Sequence, residues 1–290
     1  MLELIIAGLT MGSIYALLAL AINIIYSTTG IINFAHGELV MLGGMFGIVL
    51  VVNSGLPIIA GMFIACGMVA MIAITLYYST IRPFGDNLTS SLGWLMATLG
   101  AGIIFRNVAM LIWGTQPRPF PPLGSEELIN VLGVRILPHE IWTLVITFLI
   151  AIFFTVVLDK TMLGSAIKAT ASNRNATRLM GISVERMVLA CFTMSGAVAA
   201  VAGFLISPIV FAGPEMTATI GLKGFGAAII GGLGSSRGAF AGGIMLGVLE
   251  ALSMTMVTPG YKDAIAFLIM ILAITIKPEG IFGVAYEKKV

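Results

Sequence analysis

Between Leu39 and Ile81 the chain carries no Asp, Glu, Lys or Arg. A helix crosses the hydrocarbon core of a bilayer with about 20 apolar residues. The run is too long for one crossing, and Asn53-Ser54-Gly55-Leu56-Pro57 is the natural turn inside it. The same pattern continues along the chain and predicts nine apolar segments, near 4–26, 31–52, 56–79, 89–113, 141–158, 187–210, 217–234, 239–257 and 263–276. Charged residues make up 10% of the sequence and the hydrophobic set 59%. Soluble domains carry about 25% charge, and so few charges cannot cover a wetted surface. The expectation is an all-α, polytopic integral membrane protein with 8–10 transmembrane helices in one domain over 1–290. Segment 217–234 holds Lys223 and six glycines, so a broken or re-entrant helix is expected there.

Several functions are excluded early. The net charge is +2, with no basic patch to neutralise phosphates, so no nucleic-acid partner is expected. Cys66 and Cys191 lie in apolar runs and read as small buried hydrophobes. The opening MLELIIAGLT has Glu3 and no basic region, which suits an uncleaved first span. The two histidines, His36 and His139, fall on opposite sides in the expected topology, and no acid–base or nucleophile constellation stands out, so no catalytic residue and no metal site is expected. A Gly-x-x-x-x-Gly-Lys-Ser/Thr loop is absent from the sequence, so no cofactor, and no ATP, is expected on this chain.

Orientation follows from the basic residues. With the N-terminus outside and nine alternating segments, Arg82, Lys160, Lys168, Arg174, Arg178, Arg186, Arg237, Lys277, Lys288 and Lys289 lie inside. Arg118, Arg135 and Lys262 lie outside, and Arg106 and Lys223 fall within segments. The proline-rich outer loop 114–140 reads as a semi-rigid connector or as a docking surface for an external partner. In the inner loop 159–186, Ser172 or Asn173 can cap a short helix that ends at Gly181. Ala176, Leu179 and Met180 share one side of it, and Arg174 and Arg178 another. Such a helix either lies on anionic headgroups of the lipid bilayer or fits a groove on a cytoplasmic partner.

Asn175-Ala176-Thr177, followed after three residues by Gly181, resembles the coupling helix of ABC importer permeases, with only the central Ala kept. Gly12-Ser13-Ile14-Tyr15-Ala16-Leu17, Ile32-Asn33-Phe34-Ala35-His36-Gly37-Glu38, Met180-Gly181-Ile182 and Gly221-Leu222-Lys223-Gly224-Phe225 resemble the permeases of branched-chain amino acid importers. So do Gly231-Gly232-Leu233-Gly234-Ser235 and Tyr261-Lys262-Asp263, and the likeness is nearest to the H-type permease. The resemblance implies a bacterial inner-membrane importer with a second related permease, two cytoplasmic ATPase subunits that hydrolyse ATP, and a periplasmic substrate-binding protein. It assigns Asn173, Arg174, Asn175, Ala176, Thr177, Arg178, Leu179, Met180 and Gly181 to ATPase coupling. Related permeases carry urea or short amides, so those substrates stay open.

Polar groups inside spans are costly and are candidates by default. They are Asn33, His36 and Glu38 in the second segment, Lys223 in the seventh and Glu250 in the eighth, with Asn23 late in the first. They line a pathway or gate for a zwitterion, or they pair between helices and tie backbone carbonyls at a broken turn. If Glu38 and Glu250 were proton or ion sites, the chain would instead be a self-contained secondary transporter. Arg106 is expected to snorkel to the outer interface. Gly43-Gly44, Gly231-Gly232 and Gly242-Gly243 suit close helix packing or a hinge. A shift of 188 aligns Ile32 with Ile220 and Gly43-Gly44 with Gly231-Gly232, a hydropathic repeat only.

Overall fold

A chain this apolar satisfies its backbone polar groups mainly within helices. The computed structural model describes residues 2–87, 92–131, 134–255, 261–277 and 279–283; Lys288 and Lys289 lie outside them. The helices are α1 (Leu2–Thr29), α2 (His36–Gly47), α3 (Ile58–Leu76), α4 (Gly93–Trp113), α5 (Pro138–Lys160), α6 (Met162–Ser172), α7 (Arg174–Leu179), α8 (Val184–Val210), α9 (Met216–Gly231), α10 (Ser236–Ser253) and α11 (Lys262–Ile276). α2 and α3 run on as π-helical turns over Ile48–Asn53 and Tyr77–Ile81. A hairpin of β1 (Ile129–Val131) and β2 (Val134–Ile136) pairs Ile129 with Ile136 in the outer loop.

α1 is the axis of the molecule. It is apolar on all sides, and Ile14 to Ala21 are all buried, as expected of a helix enclosed by others. α8 is the second core helix, buried without interruption from Val198 to Ser207. α3, α4 and α5 instead show apolar faces outward, with Phe63, Met71, Leu111, Phe148 and Phe153 exposed, as lipid-facing helices do. Glycines set the closest approaches. A Cβ on Gly243 would collide with the backbone of Ala16, and one on Gly203 with the carbonyl of Val40. Backbone contact of this kind suits tight packing in lipid.

The polytopic all-α class stands, with refinements. Among the described residues six helical stretches are long and apolar enough to cross a membrane, Glu3–Thr29, His36–Asn53, Ile58–Gly85, Gly93–Trp113, Pro138–Lys160 and Val184–Val210. The last three predicted segments are shorter helices of 16, 18 and 15 residues. At about 1.5 Å per residue, α9 and α11 fall short of the roughly 30 Å hydrocarbon core. Segment 217–234 holds the short helix α9, which is continuous to Gly231 and ends inside the segment at Gly232, whose φ is 107°. A further irregular stretch lies at 30–35, between α1 and α2. Gly30, at φ 69°, ends α1, and Ile31, Asn33 and Ala35 are buried, so α2 starts later than the apolar pattern implied.

Charge gathers at opposite ends. At one end Arg174 donates to Thr29 O at 3.1 Å, and Asp159 accepts from Lys168 at 2.7 Å and from Arg237 at 3.3 Å. At the other, Glu3, Arg135 and Glu140 line one depression. The proline strap is pinned there. Arg118 and Ala212 exchange backbone hydrogen bonds, Phe120 packs edge-on against Phe204 at 4.8 Å, and His139 links Leu123 N to Leu205 O.

Candidate functional site

Helix α7 forms where the cap and stop signals placed it. Asn173 Oδ1 accepts from Ala176 N at 3.0 Å, so Asn173 and not Ser172 is the cap. Gly181 sits at φ 81°, the left-handed position that ends the helix. Thr177 is buried and Arg174 turns inward onto the last carbonyls of α1. Leu179 and Met180 face away from the bundle, 89% and 81% exposed, and Asn175, Ala176 and Arg178 are exposed beside them. A preceding helix, α6, went unanticipated. Thr161 caps it by accepting from Gly164 N at 3.2 Å.

The intramembrane candidates separate into two groups on opposite sides of α9. On one side Lys223 Nζ donates to Glu250 Oε1 and to Asp263 Oδ1, each at 2.6 Å. Tyr15 Oη donates to Glu250 Oε2 at 3.0 Å, and Lys223 lies over the Tyr15 ring at 5.6 Å. Lys223 and Glu250 are 4% and 3% exposed, so the pair is paired and hydrogen-bonded as a buried pair must be. The network ties α1, α9, α10 and α11 together. It floors a cavity of about 290 Å3 that reaches Thr115, Pro117 and Lys262 at the end of the molecule held by the proline strap. Asp263 and Tyr15 were not singled out from the sequence. Asp263 stands at a helix start and Tyr15 amid apolar residues, positions that give no local signal of a partner on another helix.

On the other side, Asn33, His36 and Glu38 line a cavity of about 190 Å3 with Thr217 and Phe225. Asn33 Oδ1 accepts from Ala35 N at 3.1 Å, which folds the turn. Asn33 Nδ2 and both ring nitrogens of His36 are buried and have no hydrogen-bond partner. Thus the expected Lys–Glu pairing occurs between α9 and α10, and His36 ties no backbone carbonyl.

Two further groups prove structural. Asn23 donates to Gly232 O and Ser235 O and accepts from Gly234 N, clamping the α9–α10 turn to α1. Arg106 pairs with Glu215 at 3.0 Å, at the start of α9, where snorkelling alone was expected.

A family profile described as "Branched-chain amino acid transport system / permease component" matches residues 4–274. The chain belongs to this family. The high-affinity branched-chain amino acid transport system permease protein BraD of Pseudomonas aeruginosa is 32% identical over 304 residues, covering 100% of this permease and 98% of BraD. The corresponding LivH protein of Salmonella typhimurium is 31% identical over 299 residues, covering 98% and 96%. A probable LivH of Methanocaldococcus jannaschii is 28% identical over 298 residues, covering 96% and 91%. The family is one of transport permeases and not of enzymes, and the six long apolar helices make this permease a multi-pass membrane protein.

Proposed function

We propose that the permease is the membrane-crossing subunit of an ATP-driven importer of leucine, isoleucine and valine or related apolar amino acids, in the inner membrane. It works with a second related permease, two ATPases that hydrolyse the ATP, and a soluble binding protein on the outer side. The chain itself binds no nucleotide in this account. The observation that carries the coupling role is α7, a capped helix that shows Leu179 and Met180 to the inner side while Arg174 ties it to α1. An exposed apolar pair on a helix fixed from behind fits insertion into a partner's groove.

The connections suggest how a push on α7 travels. Arg174 bonds the carbonyls of Thr28 and Thr29, so α7 and the end of α1 move together. Further along α1, Asn23 holds the α9–α10 turn and Tyr15 holds Glu250. Closure of the ATPases would thus act on both walls of the α9 cavities, the two-arrangement behaviour that alternating access requires. Gly181→Pro and Arg178→Glu in the assembled complex test this. The expected result is lowered amino acid uptake and weaker ATPase co-purification, while normal uptake with unchanged co-purification would sink the coupling role.

A further inference from the structure

The cavities on the two sides of α9 differ in one decisive respect. In the outer-facing cavity every charged group of the floor is already satisfied within the protein, Lys223 by two carboxylates and Glu250 by Lys223 and Tyr15. In the smaller cavity three buried polar atoms have no partner, Asn33 Nδ2, His36 Nδ1 and His36 Nε2. Asn33 and His36 are 3% and 2% exposed. Leaving a buried donor or acceptor unpaired costs about 1–3 kcal/mol each, and natural interiors rarely carry them without a function.

The chemistry around these atoms is graded. His36 opens α2, and the N–H groups of Ala35 and His36 are bonded to Asn33 Oδ1 and Asn33 O, so this end offers the cavity the side chains of Asn33 and His36. Asn33 Nδ2 is a donor, and neutral His36 supplies one donor more. Glu38 follows two residues later, packs its carboxylate against Gly102 of α4, feels the charge of Arg106, which is itself paired with Glu215, and takes part in no ion pair within 4 Å among the described residues. The remaining wall is apolar or aromatic, with Ile22, Phe34, Leu99 and Phe225. At about 190 Å3 the space lies below the roughly 300–1,000 Å3 of pockets for drug-sized ligands, which is the scale of one small solute.

Resting on the assignment of the chain as an amino acid permease, we infer that this cavity is a substrate subsite. The α-carboxylate of an aliphatic amino acid sits on Asn33 Nδ2 and the His36 ring. Its ammonium group faces Glu38, and its side chain packs on Phe34 and Phe225. Urea would satisfy the polar end and leave the apolar wall wet, so the site favours an aliphatic amino acid.

The chain contains two histidines, His36 and His139, which makes a direct test possible. The full chain, labelled at histidine with nitrogen-15, is placed in lipid nanodiscs and titrated with L-leucine, 4-methylpentanoate, 3-methylbutylamine and urea. Leucine shifts the His36 ring resonances and leaves those of His139, which is satisfied by Leu123 and Leu205, unmoved. 4-Methylpentanoate shifts His36 as well, at higher concentration. Glu38→Gln weakens leucine binding by about tenfold or more, the scale of a lost charge-assisted hydrogen bond, and leaves 4-methylpentanoate unchanged. Asn33→Ala weakens both. No His36 shift with leucine, a shift with urea alone, or equal loss of all probes in Glu38→Gln would overturn the subsite. Leucine uptake by the assembled complex distinguishes the two failures. If uptake persists while His36 is silent, only the subsite falls; if the wild-type complex carries no leucine, the assignment of the permease falls with it.

Discussion

At the scale of single residues, the buried Lys223 is the most exacting position. Removing one partner of a buried ion pair costs about 3–5 kcal/mol because the other charge stays buried and unpaired. Lys223→Met would leave Glu250 and Asp263 facing each other across the same space, so it should lower thermal unfolding in nanodiscs sharply. Adding Glu250→Gln to it should recover part of the loss, and a melting series over the single and double variants checks this. The cost of polar groups in lipid named the intramembrane candidates from sequence alone. It could not say which were satisfied, because the partners come from distant chain positions. Tyr15 and Glu250 are 235 residues apart, and Lys223 and Asp263 are 40 apart. That separation is why Asp263 went unseen and why the satisfied and unsatisfied groups looked alike.

At the scale of elements, caps and glycines did most of the predictable work. Asn173→Ala removes the α7 cap at a cost of about 1 kcal/mol, and transport should fall while the fold persists, as uptake and circular dichroism would report. Gly243→Leu should fail differently. Its side chain has no room against Ala16, and overpacking costs about 1–3 kcal/mol or more, so the variant should express poorly or melt early in a fluorescence assay. α7 was readable because Asn173 and Gly181 are local signals. The irregular 30–35 stretch was hidden because Ile31 and Ile32 continue the apolar pattern, although Gly30 and the Asn33 turn were signals for a stop. In α9 the glycines divide: Gly232 ends the helix at φ 107°, while Gly224 packs against Leu18 and Gly226 against Met270.

At the scale of the whole molecule, the charge deficit sets the class and the few charges set the orientation. The described basic residues of the inner side gather with the end of α1, and Glu3 and Arg135 gather at the opposite end. In a background with Cys66→Ser and Cys191→Ser, a cysteine at Lys168 should react with a membrane-impermeant maleimide only from the inner side. One at Glu126 should react only from the outer side, and labelling of both from one side would refute the topology. Length and apolar runs located nearly every helix, and the missing knowledge was depth. α9 and α11 are joined by the Lys223–Asp263 pair, α9 largely buried and α11 exposed or half-buried along most of its length.

The central claim is that this permease moves amino acids only as part of an ATP-driven assembly. Radiolabelled L-leucine uptake into proteoliposomes measures it directly. The account predicts uptake when the chain is reconstituted with its partner permease, the ATPases, the binding protein and ATP, and none when ATP or the ATPases are withheld. Uptake by the chain alone, driven by a proton or sodium gradient without ATP, would contradict it.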